Sequence, residues 1–264
     1  MKHLLLFAIL FFTAILPAQE IVIPVKVLSS TKTGPLTFVG TDTFGWRYTI
    51  VNDEFRKEKD GKILKYKNVS LGEISRVDLQ NPLQIVLFYR KFNTVILLDN
   101  QLNETSRINF SDIPQPVVAD AVGLASQNRL WVYDINTQEL GLYDLARGEF
   151  KPITPPFADT LAYYHNDYNY FYWIDAAGES FMANLFGKVT YLGSIPQYDS
   201  AQFLDSTSLL LRQGNTLYHY NPATQVQSRI DTGEKSFESF HYASQILTIF
   251  TNSEIIQYQI TLPK

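Results

Sequence analysis

The chain contains no cysteine among its 264 residues. Structural disulfides are therefore excluded, and so is a lipid anchor on a cysteine behind an export signal. Charge of one sign is also lacking: 22 Lys and Arg stand against 26 Asp and Glu, a formal net charge of −4. That balance builds no basic field to hold nucleic acid. Histidine is scarce, and beyond His3 only His165, His219 and His241 remain, none at zinc-pair spacing. No Gly-x-Ser-x-Gly elbow marks a serine hydrolase. Long apolar runs are missing except at the start, where Lys2 and His3 precede Leu4–Leu16 and then Pro17-Ala18. This is the charged region, apolar region and small cleavage residue of a secretory signal peptide. The apolar run falls short of the roughly 20 residues a spanning helix needs. The expected organisation is a signal peptide over 1–18, cut after Ala18, and a single exported domain over 19–264 with no direct membrane insertion.

Aromatic residues are abundant, at 14% of the chain with 16 Tyr and 18 Phe, and they favour half-buried sheet faces. The stretch Arg129–Ile153 shows how they are used. Arg129–Ile135 is apolar, Asn136–Glu139 is polar and turn-like, Leu140–Leu145 is apolar again, and Ala146–Glu149 turns before Phe150–Ile153. Short strands set off by Asn, Gly and Asp make an antiparallel meander. The end of the third strand recurs as an apolar residue and then Asp or Asn, at Leu98-Asp99, Tyr143-Asp144, Ala183-Asn184 and Tyr220-Asn221. The period is about 40 residues, that of a four-stranded propeller blade.

Five full units follow, from Gly34, Gly72, Val117, Thr160 and Ser200, and a sixth from Phe237 has room for three strands. The segment Glu20–Leu28 reads as a strand that completes the sixth. The expected fold is all-β: a six-bladed β-propeller closed by pairing an N-terminal strand with the last blade, which removes two exposed sheet edges. The repeats resemble the β-propeller superfamily. The Gly-His and Trp-Asp pair of WD40 repeats and the kelch Gly-Gly motif are missing. With Tyr-Asp turns, the chain is similar to loosely patterned bacterial envelope propellers of the YVTN-like and NHL-like groups. That resemblance implies ligand or protein binding in a bacterial envelope and names no reaction.

Aligning the first strands gives a buried column of Val39, Val77, Val122, Tyr163, Ala201 and Phe240. Alternation puts Gly40, Asp78, Gly123, Tyr164, Gln202 and His241 on the opposite side, toward the channel. Only Asp78 in that column is a carboxylate, whereas a hard cation needs several oxygen ligands. No metal, cofactor or catalytic residue is therefore expected, and His241 stands out as facing the channel with Asp78. The aromatic run Tyr163–Trp173 offers Tyr164 and Tyr168, beside His165, as a stacking platform or a partner anchor. Phe171 and Trp173 are expected to fill the space between blades. The charged run Asp53–Lys62 reads as an exposed outer hairpin, and the prolines at 114, 116, 155 and 156 mark loops between blades.

These features point to a non-enzymatic propeller that binds a protein partner, as an accessory of an outer-membrane assembly, secretion or uptake complex. Its place would be the periplasm, the outer membrane or the cell surface. A carbohydrate or cell-wall binder is the alternative, and a metal-dependent hydrolase or lyase is a third reading.

Overall fold

The structure, a computed structural model, describes residues 21–34, 36–42, 44–233 and 236–263. The expected signal peptide lies outside the described residues. Blade one comprises Thr37–Thr41, Arg47–Val51, Glu54–Lys59 and Lys62–Tyr66, joined as antiparallel neighbours in chain order. Blades two, three, four and five repeat this meander over 76–109, 119–152, 161–194 and 200–230. Blade six has Ser239–Ala243, Ile246–Phe250 and Glu254–Gln259, and its fourth, outermost strand is Lys26–Lys32 from the other end of the chain. The protein is thus a six-bladed β-propeller closed by its N-terminal strand.

The closing segment differs from the sequence reading in one respect. Of the expected strand Glu20–Leu28, Glu20 lies outside the described residues and the rest does not run as one strand. Pro24 cannot donate to a ladder, and the chain changes sheets there. Ile21–Ile23 pairs in parallel with the outer strand of blade five, and only from Lys26 does the chain join blade six. Pairing with blade six therefore begins at Lys26, later than expected, and the strand continues to Lys32.

Side chains alternate along each strand, so each blade packs one face on the blade before it and the other on the blade after. Five of these seams are filled by apolar clusters. Tyr48, Ile85 and Leu87 centre the seam of blades one and two, and Val86, Phe110 and Val132 that of two and three. Trp131, Phe157 and Trp173 fill the next, Phe203 and Leu209 the fourth, and Leu210, Leu247 and Ile256 the fifth. Phe171 and Trp173 fill space between blades as expected. Phe157, from the proline-rich loop, stacks on Trp173 with centroids 4.1 Å apart and so plugs a seam as well as linking two blades.

The sixth seam, between blades six and one, has a different make-up. Blade one presents Arg47, Glu54, Arg56, Glu58 and Lys65 to it, joined as the pairs Arg47–Glu58, Arg56–Glu54 and Lys65–Glu54. The charged run is therefore not a simple exposed hairpin. Its alternate residues turn to the other side, where Phe55 and Lys57 are buried; Lys57 is only 3% exposed. Its ammonium lies 4.8 Å from the Trp46 ring centroid and donates to the Asn100 carbonyl at 3.1 Å. Among the described residues the helical content is one short turn, Arg90–Phe92, and no helix is long and apolar enough to cross a membrane.

Candidate functional site

The first strands of the blades ring the axis and carry the densest polar cluster. Asp78 is at its centre. One carboxylate oxygen accepts the Leu124 backbone N–H and the Asn166 amide, both at 2.8 Å, and the other accepts the Gln80 N–H at 2.8 Å. Gln80 in turn donates to the Leu124 carbonyl at 3.0 Å. One carboxylate thereby ties blades two, three and four. Among the described residues, no hydrogen bond joins Asp78 to His241.

Arg76 lies two residues before Asp78, on the same side of the strand. Its guanidinium sits 4.6 Å from the Tyr164 ring centroid and donates to the Tyr164 carbonyl at 3.3 Å. Tyr164 is 7% exposed and turned into the seam with blade three. Its hydroxyl donates to the Val122 carbonyl and accepts the Val122 N–H, both at 3.2 Å, and its ring stacks on Phe171. Burial pushes this phenol above its ordinary range. Tyr168, at the turn, is 38% exposed, and its hydroxyl donates to the Gln80 carbonyl at 3.4 Å. The two tyrosines therefore face different surroundings, one a seam and the other the channel mouth.

His165 and His241 are partly buried near the axis. Burial, with the Arg76 charge and His241 nearby, pushes His165 down to about 3, and burial pushes His241 down to about 4. Both are neutral imidazoles at physiological pH. His219 is elsewhere, in blade five, hydrogen-bonded to Ser208 at 2.7 Å. Among the described residues, no group of three or more His, Asp or Glu is arranged to hold a metal ion.

The expected register slips in blade four. Asn166, not Tyr164, stands opposite Gly123, where an added Cβ would lie 2.0 Å from the Asn166 side-chain oxygen. Gly123 is therefore required by close approach rather than by backbone freedom. A bulge lies between Leu161 and Tyr163 in this strand, and similar bulges interrupt the first strands of blades one, three and five. A bulge breaks the alternation on which the register rested. Arg76 and Asn166 were missed because the column took one residue from each first strand; each is two residues from a named candidate and so on the same side of its strand.

His241 also lines a mouth cavity of about 220 Å³ with Thr41, Asp42, Leu79, Gln80 and Ser244. These come from the first turns of blades six, one and two, so those turns open on one face. The Ser126 N–H donating to the Tyr168 carbonyl at 2.8 Å places the turns of blades three and four there as well.

No family model and no curated protein sequence matches the chain. Solved structures do resemble it. A catalytically inactive virginiamycin B lyase from Staphylococcus aureus with quinupristin is 10% identical, covering 93% of this chain and 97% of that one, with a TM-score of 0.57. A member of the DUF4221 family from Bacteroides vulgatus is 8% identical over 90% of this chain and 97% of that one, at 0.56. The extracellular domain of a hybrid two-component system from B. thetaiotaomicron is 9% identical over 84% of this chain and 33% of that one, at 0.54. Their different roles show that the shared property is architecture: the chain is a six-bladed β-propeller with a loose likeness to bacterial propellers.

Proposed function

We propose that this propeller is a non-catalytic, exported binding protein of the bacterial envelope and that it docks a protein partner on the face carrying the first turns. The observation that supports this is the apolar character of the turn tips. Phe44 is 62% exposed, Leu83 64% and Phe186 92%, with Tyr168 beside them at the channel mouth. Phe186 belongs to the turn between the third and fourth strands of blade four, which opens on the same face as the first turn. Single exposed apolar residues are common, but here they stand on the tips of blades one, two and four. Each large apolar side chain left in water forgoes about 1.5–3 kcal/mol of burial. A disc face also offers the roughly 800 Å² per partner of a standard interface. The N-terminal signal pattern supports export, and the likeness to an extracellular domain is compatible with it.

The test pairs fractionation with crosslinking in envelopes. The mature chain is expected to begin at Gln19 or Glu20 and to crosslink stoichiometrically to one protein. Combining Phe44→Ser, Leu83→Ser and Phe186→Ser should abolish that crosslink. Phe92→Ser with Val118→Ser, on the opposite face, should leave it intact. Equal crosslinking by both variants would reject the turn face, and a cytoplasmic uncleaved chain would reject export.

A further inference from the structure

We infer that the seam between blades six and one is a second binding site, for a neutral carbohydrate of one or two rings. The cleft there has a volume of about 420 Å³, within the range of small-ligand pockets. It lies in the seam where, among the described residues, no apolar cluster forms beyond the contact of Phe38 with Phe250. Its apolar surface is confined to Phe38, Ile63 and Ile255, and Phe38 is held from behind by Phe250, stacked at 4.2 Å. An aromatic ring fixed on one side offers the other to an apolar ligand surface.

The polar lining decides the ligand class. Ser29, Thr31 and Gln257 are neutral groups that both donate and accept, as sugar hydroxyls do. The Gln257 carbonyl oxygen already accepts the Ser29 hydroxyl at 3.0 Å, which leaves its amide N–H groups for the cleft. The charged lining is Arg47, Lys59, Glu58 and Asp60, two of each sign, with Arg47 and Glu58 paired. A balanced site offers an ionic ligand no uncompensated charge, whereas a neutral hydroxyl-rich ligand can use both signs as hydrogen-bond partners. The mouth cavity shares Thr41 and Gln257 with this cleft, so the groove continues from the rim toward the axis. This site is independent of the turn-tip residues Leu83, Tyr168 and Phe186.

Isoleucine-methyl NMR tests it, because Ile63 and Ile255 lie in the cleft while Ile174 is buried in the seam of blades four and five. The probes are cellobiose, maltose and N,N′-diacetylchitobiose, titrated to about 20 mM, with the tripeptide acetyl-Ala-Phe-Ala-amide in parallel. At least one sugar should move Ile63 and Ile255 saturably and leave Ile174 in place. Gln257→Ala should weaken that sugar about tenfold, the loss of one well-placed hydrogen bond. If that variant does not fold, Thr31→Val on the exposed closing strand should weaken it similarly. Silence at Ile63 and Ile255 with all three sugars overturns the inference. So does undiminished binding by the folded variant, or a response to the tripeptide alone, which would make the groove a peptide site.

Discussion

Asp78 and Asn166 are 88 positions apart in the chain, and their side chains meet at 2.8 Å beside the propeller axis. The same carboxylate oxygen holds the Leu124 N–H of the blade between them. A latch of this kind fixes three first strands with one charge-assisted acceptor. Asp78→Ala should leave the Leu124 and Gln80 N–H groups and the Asn166 amide without their acceptor, at a cost of about 3 kcal/mol. Urea midpoints should show it, with a fall in Tm of roughly 6–12 °C. Asn166→Ala alone should cost less, and the double variant should be less than additive because both remove the same bond. Full additivity would mean the latch contributes nothing as a pair.

Much of the architecture was legible because it depends on periodicity. Leu98-Asp99, Tyr143-Asp144, Ala183-Asn184 and Tyr220-Asn221 recur with their turns at blade spacing, and the seams follow from alternation. The latch was not legible, because alternation says which side of a strand a residue faces and not which residues of neighbouring blades stand level beside the axis. Asp78 was singled out as the one channel carboxylate, yet its partners come from blades three and four. The polar seam was half visible. The alternating signs of Glu54, Arg56 and Glu58 stood out, but the opposite turn of Lys57 toward Trp46 depends on the strand pairing within blade one that sets Lys57 opposite Tyr48.

The two axial histidines should make the fold acid-sensitive. Both are held below the ordinary value of 6.5, His165 near about 3 and His241 near about 4. The unfolded chain therefore binds protons that the folded chain does not. Their contribution is unchanged above about pH 7.5 and falls as pH drops through 6.5, reaching a loss of about 2–3 kcal/mol from each ring by pH 4. Urea unfolding at pH 7.5, 6, 5 and 4 should reveal it. The variant carrying His165→Gln and His241→Gln should have a shallower profile over that range, with His219 still present in both proteins. Parallel profiles would show that these rings titrate normally in the fold.

Closure should depend more on Ile23 than on any residue of the strand that completes blade six. Every residue of Lys26–Lys32 is exposed, while Ile23 is buried against Leu217 and Ile230. Ile23→Ala should cost about 2–4 kcal/mol as a cavity in the seam of blades five and six. Val27→Ala, on the exposed strand, should stay within about 0.5 kcal/mol. Thermal melts of the two variants distinguish them, and equal effects would place the anchor in the strand itself.

The seam between blades six and one should also open first. Interfaces without a continuous apolar cluster have lower local opening free energies than packed cores. Surface ion pairs such as Arg56–Glu54 and Lys65–Glu54 contribute about 0–1 kcal/mol each and do not replace such a cluster. Pairing between Lys26–Lys32 and Glu254–Gln259 lies within blade six, so it ties the ends of the chain without sealing the seam. Hydrogen exchange should therefore proceed earliest in Lys26–Lys32, Glu254–Gln259 and Lys62–Tyr66. Protection should last longest in Ile85–Tyr89 and over residues 130–134, which are buried on both sides. High salt, which screens the ion pairs, should accelerate exchange in the first group and leave the second unchanged. Uniform protection around the ring would mean that the polar seam is as firmly closed as the five apolar ones.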